Sequence, residues 1–312
     1  MSNIKNKIQN IKNLIFYSKA IFSKNLYKLF LAGRVMPIID FVDNDIGKFY
    51  GITNDYLFKF IKNNLWHEKH FFELANLLIK ENFNIIDLGA NIGSHTVLCA
   101  KLALKGRVFS FEPQSLTYSL LQANIINNNC DNVQTYNMAA SNNTGDIISM
   151  DIFSYYGDQV NNGGLRVNID NGMGDKAITI KIDDLVLPKI DFLKIDIQGS
   201  EYLALKGMKN IINKDRPILF LEVEEQHLKS LSSSSKKLIE LVLSHNYALY
   251  RIKTKYPCDH ICVPIEKIGL FKNNILKYYS YETEEIIGKE VELSFDNVNK
   301  DQNYKSLKIT SK

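Results

Sequence analysis

A turn with two glycines, following an apolar stretch, is the first feature of this 312-residue sequence that is suited to chemistry. Residues 87–93 read DLGANIG, in the pattern D-x-G-x-x-x-G. Gly89 has no Cβ, so its backbone can turn sharply and approach a ligand. Gly93 allows close packing at the start of a helix, whose free N–H groups face a polar or anionic ligand. The predicted ligand-binding residues here are Asp87, Gly89, Ala90, Asn91, Gly93, His95 and Thr96.

An acidic residue 25 positions after Asp87 indicates which ligand the turn binds. Glu112 ends the next predicted strand, in VFSFEP, where a carboxylate can accept both hydroxyls of a ribose. A solvated strand-end carboxylate is the alternative. The G-x-G-x-x-G of dinucleotide enzymes is absent, because Ala90 and Asn91 fill the middle of the turn, and no GK[ST] follows. The pattern favours S-adenosylmethionine, which has no pyrophosphate and whose ammonium group Asp87 could bind.

A second group of polar residues lies in the segment DFLKIDIQGSE, residues 191–201. Strand alternation puts Lys194 and Asp196 on one face, and Asp196 falls at the carboxyl end, where open α/β sheets bind ligands. Burying either charged side chain in an apolar strand costs free energy unless the side chain is paired, so such residues are paired or functional. We predict that Asp196 is a base or orients an acceptor hydroxyl, with Lys194 holding its geometry; a structural ion pair is the alternative. Glu222 ends the next strand and could face the same cleft.

The order of the elements predicts an α/β fold. Strands at 84–88, 108–111 and 133–137 alternate with helices at 94–104 and 115–127, which is typical of a parallel sheet covered on both faces. Further elements are expected at 36–48 (strand and turn), 56–81 (helix), 192–196 (strand), 199–213 (helix), 218–223 (strand), 237–244 (helix), 246–252 and 260–264 (strands). Between the strands at 133–137 and 192–196, residues 141–190 are predicted to form an inserted hairpin and loop. The polar part of this insertion, 153–176, would shape an acceptor site.

Charge divides the chain unevenly. Net charge is +4, but residues 1–39 carry seven basic side chains and no acidic one, so the remainder is net acidic. This distribution disfavours nucleic acid as a partner. The apolar spacing predicts an amphipathic helical segment over 1–35, which would pack on its own domain, on a membrane surface or on a second subunit. The other predicted segments are 36–81, a core domain at 82–282 and a tail at 283–312.

The other chemistry-bearing residues are scattered. Neither the four cysteines (Cys99, Cys130, Cys258 and Cys262) nor the six histidines form a metal triad, a disulfide framework or a Ser-His-Asp order. We therefore predict no metal site, although Asp196 and Glu222 are hard oxygen ligands that could hold a divalent ion. No apolar stretch of about 18 residues is present, and the N-terminus is unlike a signal peptide, so we expect a cytoplasmic protein.

These motifs together resemble a known family. The combination of IIDLGANIGSHT, VFSFEP, TIKIDDL, DFLKIDIQGSEYLALKG and PILFLEVE is similar to the FkbM family of methyltransferases. The resemblance covers residues 84–265, a little over half the chain. It implies a class I methyltransferase fold: a doubly wound, mostly parallel seven-stranded sheet with an antiparallel terminal strand, here with N-terminal helices added. It also implies S-adenosyl-L-methionine as cofactor and O-methylation of a hydroxyl on a sugar, glycan or small molecule.

The resemblance also implies roles for individual residues. Cofactor contacts are implied for Asp87, Gly89, Asn91, Gly93 and Glu112, with Asn137 and Ala139 near the adenine. Lys194, Asp196 and Glu201 match the segment that follows the fourth strand of the family. The family more often has Glu where this chain has Gln198, so we leave Gln198 out of the catalytic candidates.

Two other functions stay open from the sequence. One is an RNA or protein methyltransferase, for which the basic N-terminal helix would be the argument. KIDIQG stands where base N-methylating enzymes have a DPPY-type motif, which disfavours methylation of a nucleobase. The other is a non-catalytic cofactor-binding module that the N-terminal helix anchors to a membrane or a partner.

Overall fold

A computed structural model describes residues 38–65, 68–150, 174–252 and 258–269, and the backbone of 167–168, 282–286 and 304–308. The chain divides into two compact units, Met1–Ile38 and Ile39–Lys312, and the helices and strands given below belong to the second. The predicted N-terminal helices and most of the 153–176 loop lie outside the described residues. None of the helices that are described is long and apolar enough to span a membrane.

Strands and helices alternate along most of the described chain. The strands are β1 Ile39–Asn44, β2 Gly47–Ile52, β3 Ile85–Leu88, β4 Val108–Phe111, β5 Val133–Tyr136, β6 Ala139–Ala140, β7 Ile147–Met150, β8 Val167–Asn168, β9 Lys176–Ile180, β10 Phe192–Ile195, β11 Ile218–Glu222, β12 Tyr247–Ile252, β13 Asp259–Pro264, β14 Glu282–Ile286 and β15 Tyr304–Lys308. The α-helices are α1 Tyr56–Lys62, α2 Lys69–Leu78, α3 Ser94–Leu102, α4 Ser115–Asn127, α5 Glu201–Lys206, α6 Lys209–Lys214, α7 Glu225–Ser230 and α8 Ser235–Ser244.

Five parallel strands, in the order β5-β4-β3-β10-β11, form the centre of the main sheet. β13 pairs antiparallel with β11, and β12 pairs with β13, which completes seven strands. The predicted doubly wound, mostly parallel sheet with an antiparallel terminal strand is thereby confirmed. β14 and β15 extend it beyond β12, in the tail that the sequence left unassigned. Chain order reverses between β3 and β10, so their carboxyl ends form the crevice where such sheets bind ligands.

Both faces of the main sheet are covered by apolar side chains. β3, β4 and β10 are buried at every position, as expected for parallel strands with helices on both sides. On one face they pack with Phe71 of α2 and Leu121 of α4. On the other face they pack with Leu205 of α5 and Ile239 of α8. The strand ends that carry the predicted site are therefore held in a rigid frame.

Two helices predicted as single elements are each divided in two. The helix expected at 56–81 is α1 and α2, because Asn64, in the left-handed region at φ 56°, ends the first one. The helix expected at 199–213 is α5 and α6, interrupted at Gly207. A Cβ on Gly207 would lie 2.0 Å from the carbonyl oxygen of Ser141, so only glycine lets the break between α5 and α6 lie this close to the backbone at Ser141. Helical periodicity alone does not reveal such breaks.

The strand and turn predicted at 36–48 are a complete hairpin, β1–β2, that docks on α4 through two asparagines. Asn124 accepts the Tyr50 N–H at 2.6 Å and donates to the Tyr50 carbonyl at 3.0 Å. Asn128 makes the same pair of bonds with Lys48, at 3.1 and 2.7 Å. Asn124 also donates to the carbonyl of Ile92 at 2.7 Å, so one side chain holds both the hairpin and the glycine turn.

The insertion predicted at 141–190 forms a smaller sheet, in the order β6-β9-β7-β8. β7 and β9 pair antiparallel, as their alternating sequences predict, and β6 pairs parallel with β9. The insertion leaves the main sheet after β5 and returns to it at β10. It therefore begins and ends beside strands that carry the predicted site.

Candidate active site

The glycine turn at the end of β3 lies directly against the end of β10. Gly89 and Gly93 have φ of 77° and 92°, and Asn91 between them has φ of 52°, so the turn is built from left-handed residues. A Cβ on Gly89 would come within 1.8 Å of the carbonyl oxygen of Asp196. A Cβ on Gly93 would meet Leu121 of α4 at 2.6 Å. The two regions that the sequence singled out separately are thus in contact.

A buried lysine joins the acidic residues of the two strands. The Lys194 ammonium lies 3.4 Å from Asp87 Oδ1 and 3.4 Å from Asp196 Oδ2, and donates to the Gly89 carbonyl at 3.2 Å. Burial alone would lower the pKa of Lys194, but the carboxylates of Asp196 and Asp87 outweigh it and raise that pKa. Lys194 is therefore a fixed positive charge, and the predicted pair with Asp196 is present.

Asp87 and Thr96 support the turn from within. Both side chains are wholly enclosed, and the Thr96 hydroxyl donates to Asp87 Oδ2 at 2.6 Å. Ser110 of β4 donates to the Thr96 hydroxyl at 3.2 Å. In this structure the Asp87 carboxylate contacts Lys194 and Thr96, and its predicted contact with a ligand ammonium group stays a prediction.

Glu112 clamps the turn to the end of β4. Its carboxylate accepts the Asn91 N–H and the Gln114 N–H, each at 2.9 Å. Burial raises the pKa of Glu112 to about 7, although these two N–H groups lower it in part. Each carboxylate oxygen has a second lone pair, so Glu112 can still accept ligand hydroxyls as predicted. Ala90 is buried in the same turn, and its N–H donates to the Phe111 carbonyl at 3.0 Å.

Asn137 and Ala139 follow the end of β5, beside Glu112. The Asn137 amide donates to the carbonyls of Glu112 and Pro113 at 2.8 and 3.0 Å, so it ties two strand ends together. Ala139 is buried in β6, opposite Thr179 of β9. Their predicted proximity to an adenine stays a prediction.

Gln114 is a site residue that the sequence analysis missed. Its side chain is 2% exposed, and neither its Oε1 nor its Nε2 has a hydrogen-bond partner among the described residues. A buried amide without partners is costly, and native structures rarely keep one without a reason. Its place two residues after Glu112, directly before the helix expected at 115–127, was the signal in the sequence.

Asp196 and Glu222 lie close together, and the Gln198 side chain joins them. The Gln198 Nε2 donates to Asp196 Oδ1 at 3.0 Å and to Glu222 Oε2 at 3.2 Å. Burial, and then the neighbouring Asp196 carboxylate, raises the pKa of Glu222 well above its usual range. The arrangement thus places a carboxyl group with a raised pKa next to the Asp196 side chain, which lies beside the Lys194 ammonium.

The sequence model of the methyltransferase FkbM domain matches residues 87–249, which is more than half of the chain. The chain belongs to the FkbM family of methyltransferases. The match contains the turn, Glu112, Lys194, Asp196 and Glu222, so the resemblance seen in the sequence is confirmed.

Two curated methyltransferases are similar to this FkbM protein. Hexuronic acid methyltransferase AglP of Haloferax volcanii is 33% identical over 131 residues, 40% of this chain and 50% of that protein. Methyltransferase sdnD of Sordaria araneosa is 24% identical over 173 residues, 45% and 64% of the two chains. The matches therefore span less than two thirds of either relative. A crystal structure of methyltransferase FkbM from Methylobacillus flagellatus has 21% identity, covers 59% of this chain and 44% of its own, and has a TM-score of 0.42.

Residues outside the FkbM match also contribute to the cleft. His70 of α2 lies 2.7 Å from Asp259 Oδ2 at the start of β13, which pairs in register with Glu222. Burial raises the pKa of Asp259 to about 6, although the hydrogen bond from His70 lowers it in part. The sequence analysis treated His70 as scattered, since its partner is 189 residues away. Nothing in the local pattern links the two.

His95 lies in the first turn of α3, packed against the same helix α2. Its ring centre is 4.2 Å from that of Phe71, and its Nε2 is 3.7 Å from Glu68 Oε2. Burial lowers the pKa of His95 to about 4, so the ring is neutral at physiological pH. Within the described residues, no group of three or more His, Cys, Asp or Glu side chains is placed to hold a metal ion.

Proposed function

We propose that this FkbM methyltransferase transfers a methyl group from S-adenosylmethionine to a hydroxyl of a sugar or glycan. The contacts of Lys194 carry the proposal, because its ammonium donates to the Gly89 carbonyl and lies 3.4 Å from Asp196 Oδ2, which sets a carboxylate beside the turn expected to bind the donor. A hydroxyl needs a base nearby that removes its proton as it attacks. The similarity to a hexuronic acid methyltransferase supports a sugar as the acceptor.

The residues of the turn fit S-adenosylmethionine. The glycine at position 89 lets the turn lie directly against the Asp196 carbonyl, and the N-terminus of α3 offers free N–H groups beside that turn. Glu112 keeps free lone pairs for ribose hydroxyls, and the buried Gln114 amide lacks partners among the described residues. Gly89, Asn91, Glu112 and Gln114 would hold this donor.

Three side chains at the ends of β10 and β11 would activate the acceptor. When bound, S-adenosylmethionine supplies a methyl group that its sulfonium makes electrophilic. Asp196 would accept the proton of the acceptor hydroxyl as the oxygen–methyl bond forms and the sulfur–methyl bond breaks, with its electron pair left on sulfur, while Lys194 holds Asp196 Oδ2. Glu222, whose pKa is raised chiefly by burial, would form a hydrogen bond with the acceptor and orient it. Holding these groups at reacting distance accounts for much of the expected rate enhancement.

Replacement of the base tests this proposal. Asp196→Asn should lower turnover by about 100-fold to 10,000-fold, the usual contribution of a general base. Donor affinity, measured by calorimetry with S-adenosylmethionine, should stay within a few-fold of the original protein. Asp191→Asn is the matched control, because Asp191 lies at the opposite end of β10 and accepts the Asn84 N–H there. Full turnover in Asp196→Asn would rule out the base.

The acceptor class is tested with donor labelled on its methyl group. Methyl glucuronides, neutral methyl glycosides, RNA and protein would be offered separately. We expect label on a sugar hydroxyl and little on RNA or protein. Label on RNA or protein, with none on the sugars, would overturn the proposed acceptor. Failure of S-adenosylmethionine to bind at all would favour the non-catalytic module.

A further inference from the structure

Gln198 lies between two acidic groups of the cleft. Its amide nitrogen is 3.0 Å from Asp196 Oδ1 and 3.2 Å from Glu222 Oε2. An amide nitrogen carries two hydrogens, so one is available for each carboxyl group. The amide oxygen has no hydrogen to donate, so the nitrogen must face the two acids.

The backbone at Gln198 is held in an unfavourable conformation. Its φ is 54°, in the left-handed region that side chains with a Cβ disfavour. The buried Glu201 carboxylate accepts the N–H groups on either side, from Ile197 at 3.1 Å and Gly199 at 3.0 Å. Such conformations persist where the surroundings determine them, and they cluster at functional sites. Here the result is a defined position for the Gln198 amide.

Each oxygen of the Asp196 carboxylate then has one contact within the protein and keeps a lone pair for a ligand. Lys194 lies 3.4 Å from its Oδ2, and Gln198 donates to its Oδ1. The Glu222 carboxyl group is also held at both oxygens, since Gln198 binds its Oε2 and the Cys258 thiol lies 4.0 Å from its Oε1. Loss of Gln198 would release one oxygen of each acid at the same time.

We propose that Gln198 is a positioning residue, which fixes the Asp196 carboxylate and the Glu222 carboxyl group at a set separation by donating one amide hydrogen to each. The inference rests on the proposed roles of Asp196 and Glu222 in methyl transfer. It assigns a function to a residue that the sequence analysis had set aside. The length of the side chain is essential to it, since the amide must reach both groups from one backbone position.

Two substitutions separate the bridge from the backbone. Gln198→Asn keeps the amide and suits the left-handed region, but it is one methylene shorter and cannot span both groups. Gln198→Glu keeps the length but puts a third carboxyl group between the two acids. Gln226→Asn, on the exposed side of α7, is the matched control.

The measurement is a carboxyl titration by NMR on the whole protein, labelled with ¹³C at Asp and Glu carboxyl carbons. Asp196→Asn and Glu222→Gln assign the two resonances. In Gln198→Asn both titration midpoints should rise by about one pH unit, because each ionised group loses a hydrogen-bond donor. In Gln198→Glu they should rise further. Midpoints within about 0.3 pH units of the original in both variants would overturn the bridge.

The other titrating groups near Asp196 and Glu222 are the same in the original protein and in both Gln198 variants. A difference in titration midpoint between them therefore reports on Gln198. Within the described residues, those near Asp196 and Glu222 are Lys194, Asp87, Glu201, Glu68, Asp259, His95, His227 and Cys258. The titration needs neither donor nor acceptor. If the original protein fails to bind S-adenosylmethionine, the proposed function fails while the titration still decides whether Gln198 positions the two acids.

Discussion

Removing the positive charge of Lys194 is expected to destabilise the protein strongly. Lys194→Met keeps a long side chain but leaves the Asp87 carboxylate without the ammonium at 3.4 Å. The exposed fractions of the Lys194 and Asp87 side chains are 1% and 0%, so water cannot solvate the Asp87 carboxylate once the ammonium is gone. A buried charge without its partner costs about 3–5 kcal/mol. Against a typical stability of about 5–15 kcal/mol, this is a large share.

Equilibrium unfolding in urea at neutral pH measures this loss as a lower midpoint with an unchanged slope. Lys189→Met is the control, because Lys189 is 65% exposed and its pair with Asp191 at 3.3 Å should contribute at most about 1 kcal/mol. Adding Asp87→Asn to Lys194→Met should recover part of the loss, since it removes the carboxylate that has lost its ammonium. The reasoning is refuted if Lys194→Met costs no more than the control, or if Asp87→Asn deepens the loss.

Two further predictions concern the turn and the segment after β10. Gly89→Ala should weaken binding of S-adenosylmethionine by more than about tenfold and lower stability by about 2 kcal/mol, because its Cβ would meet Asp196 O at 1.8 Å. The control Gly145→Ala, at φ 93° with nothing within 4 Å, measures the backbone penalty alone. Equal losses of donor affinity in calorimetry and of stability in thermal unfolding for the two variants would contradict the close approach. Burial raises the pKa of Glu201 from 4.5 to about 7, so its contribution to stability is full below pH 4.5 and is lost as pH rises to about 7, on the order of 3 kcal/mol. Glu201→Gln should flatten urea-measured stability between these pH values, and a pH dependence equal to that of the original protein would contradict this.

Local sequence signals were enough for the elements of the central βαβ units. β4 and α4 begin and end at the predicted residues, because Pro113 separates them and their apolar spacing is regular. The turn at Gly89 and the strand-end acids Glu112 and Asp196 were also predictable, since each follows an apolar strand at the ligand-binding edge of the sheet.

Contacts between distant segments were beyond the reach of pattern analysis. His70 and Asp259 meet only because β13 inserts beside β11, which no local periodicity encodes. Gln198 shows its role only when the ends of β10 and β11 are side by side. The enclosure of Asp87 was likewise hidden, because the sequence places it at a strand end without showing that Lys194 covers it.

The strand order also affects how the chain emerges from the ribosome. β3 can pair with β4 soon after synthesis, whereas its other neighbour, β10, follows about 100 residues later, which takes about 5–20 s at usual elongation rates. During that interval β3 is an open edge, the kind of surface that recruits other chains into aggregates. Within β3, Asp87 without its lysine partner would keep that edge hydrated and discourage such pairing until Lys194 is synthesised. Asp87 alone would then protect the nascent chain before its pairing with Lys194 helps to hold the folded protein together.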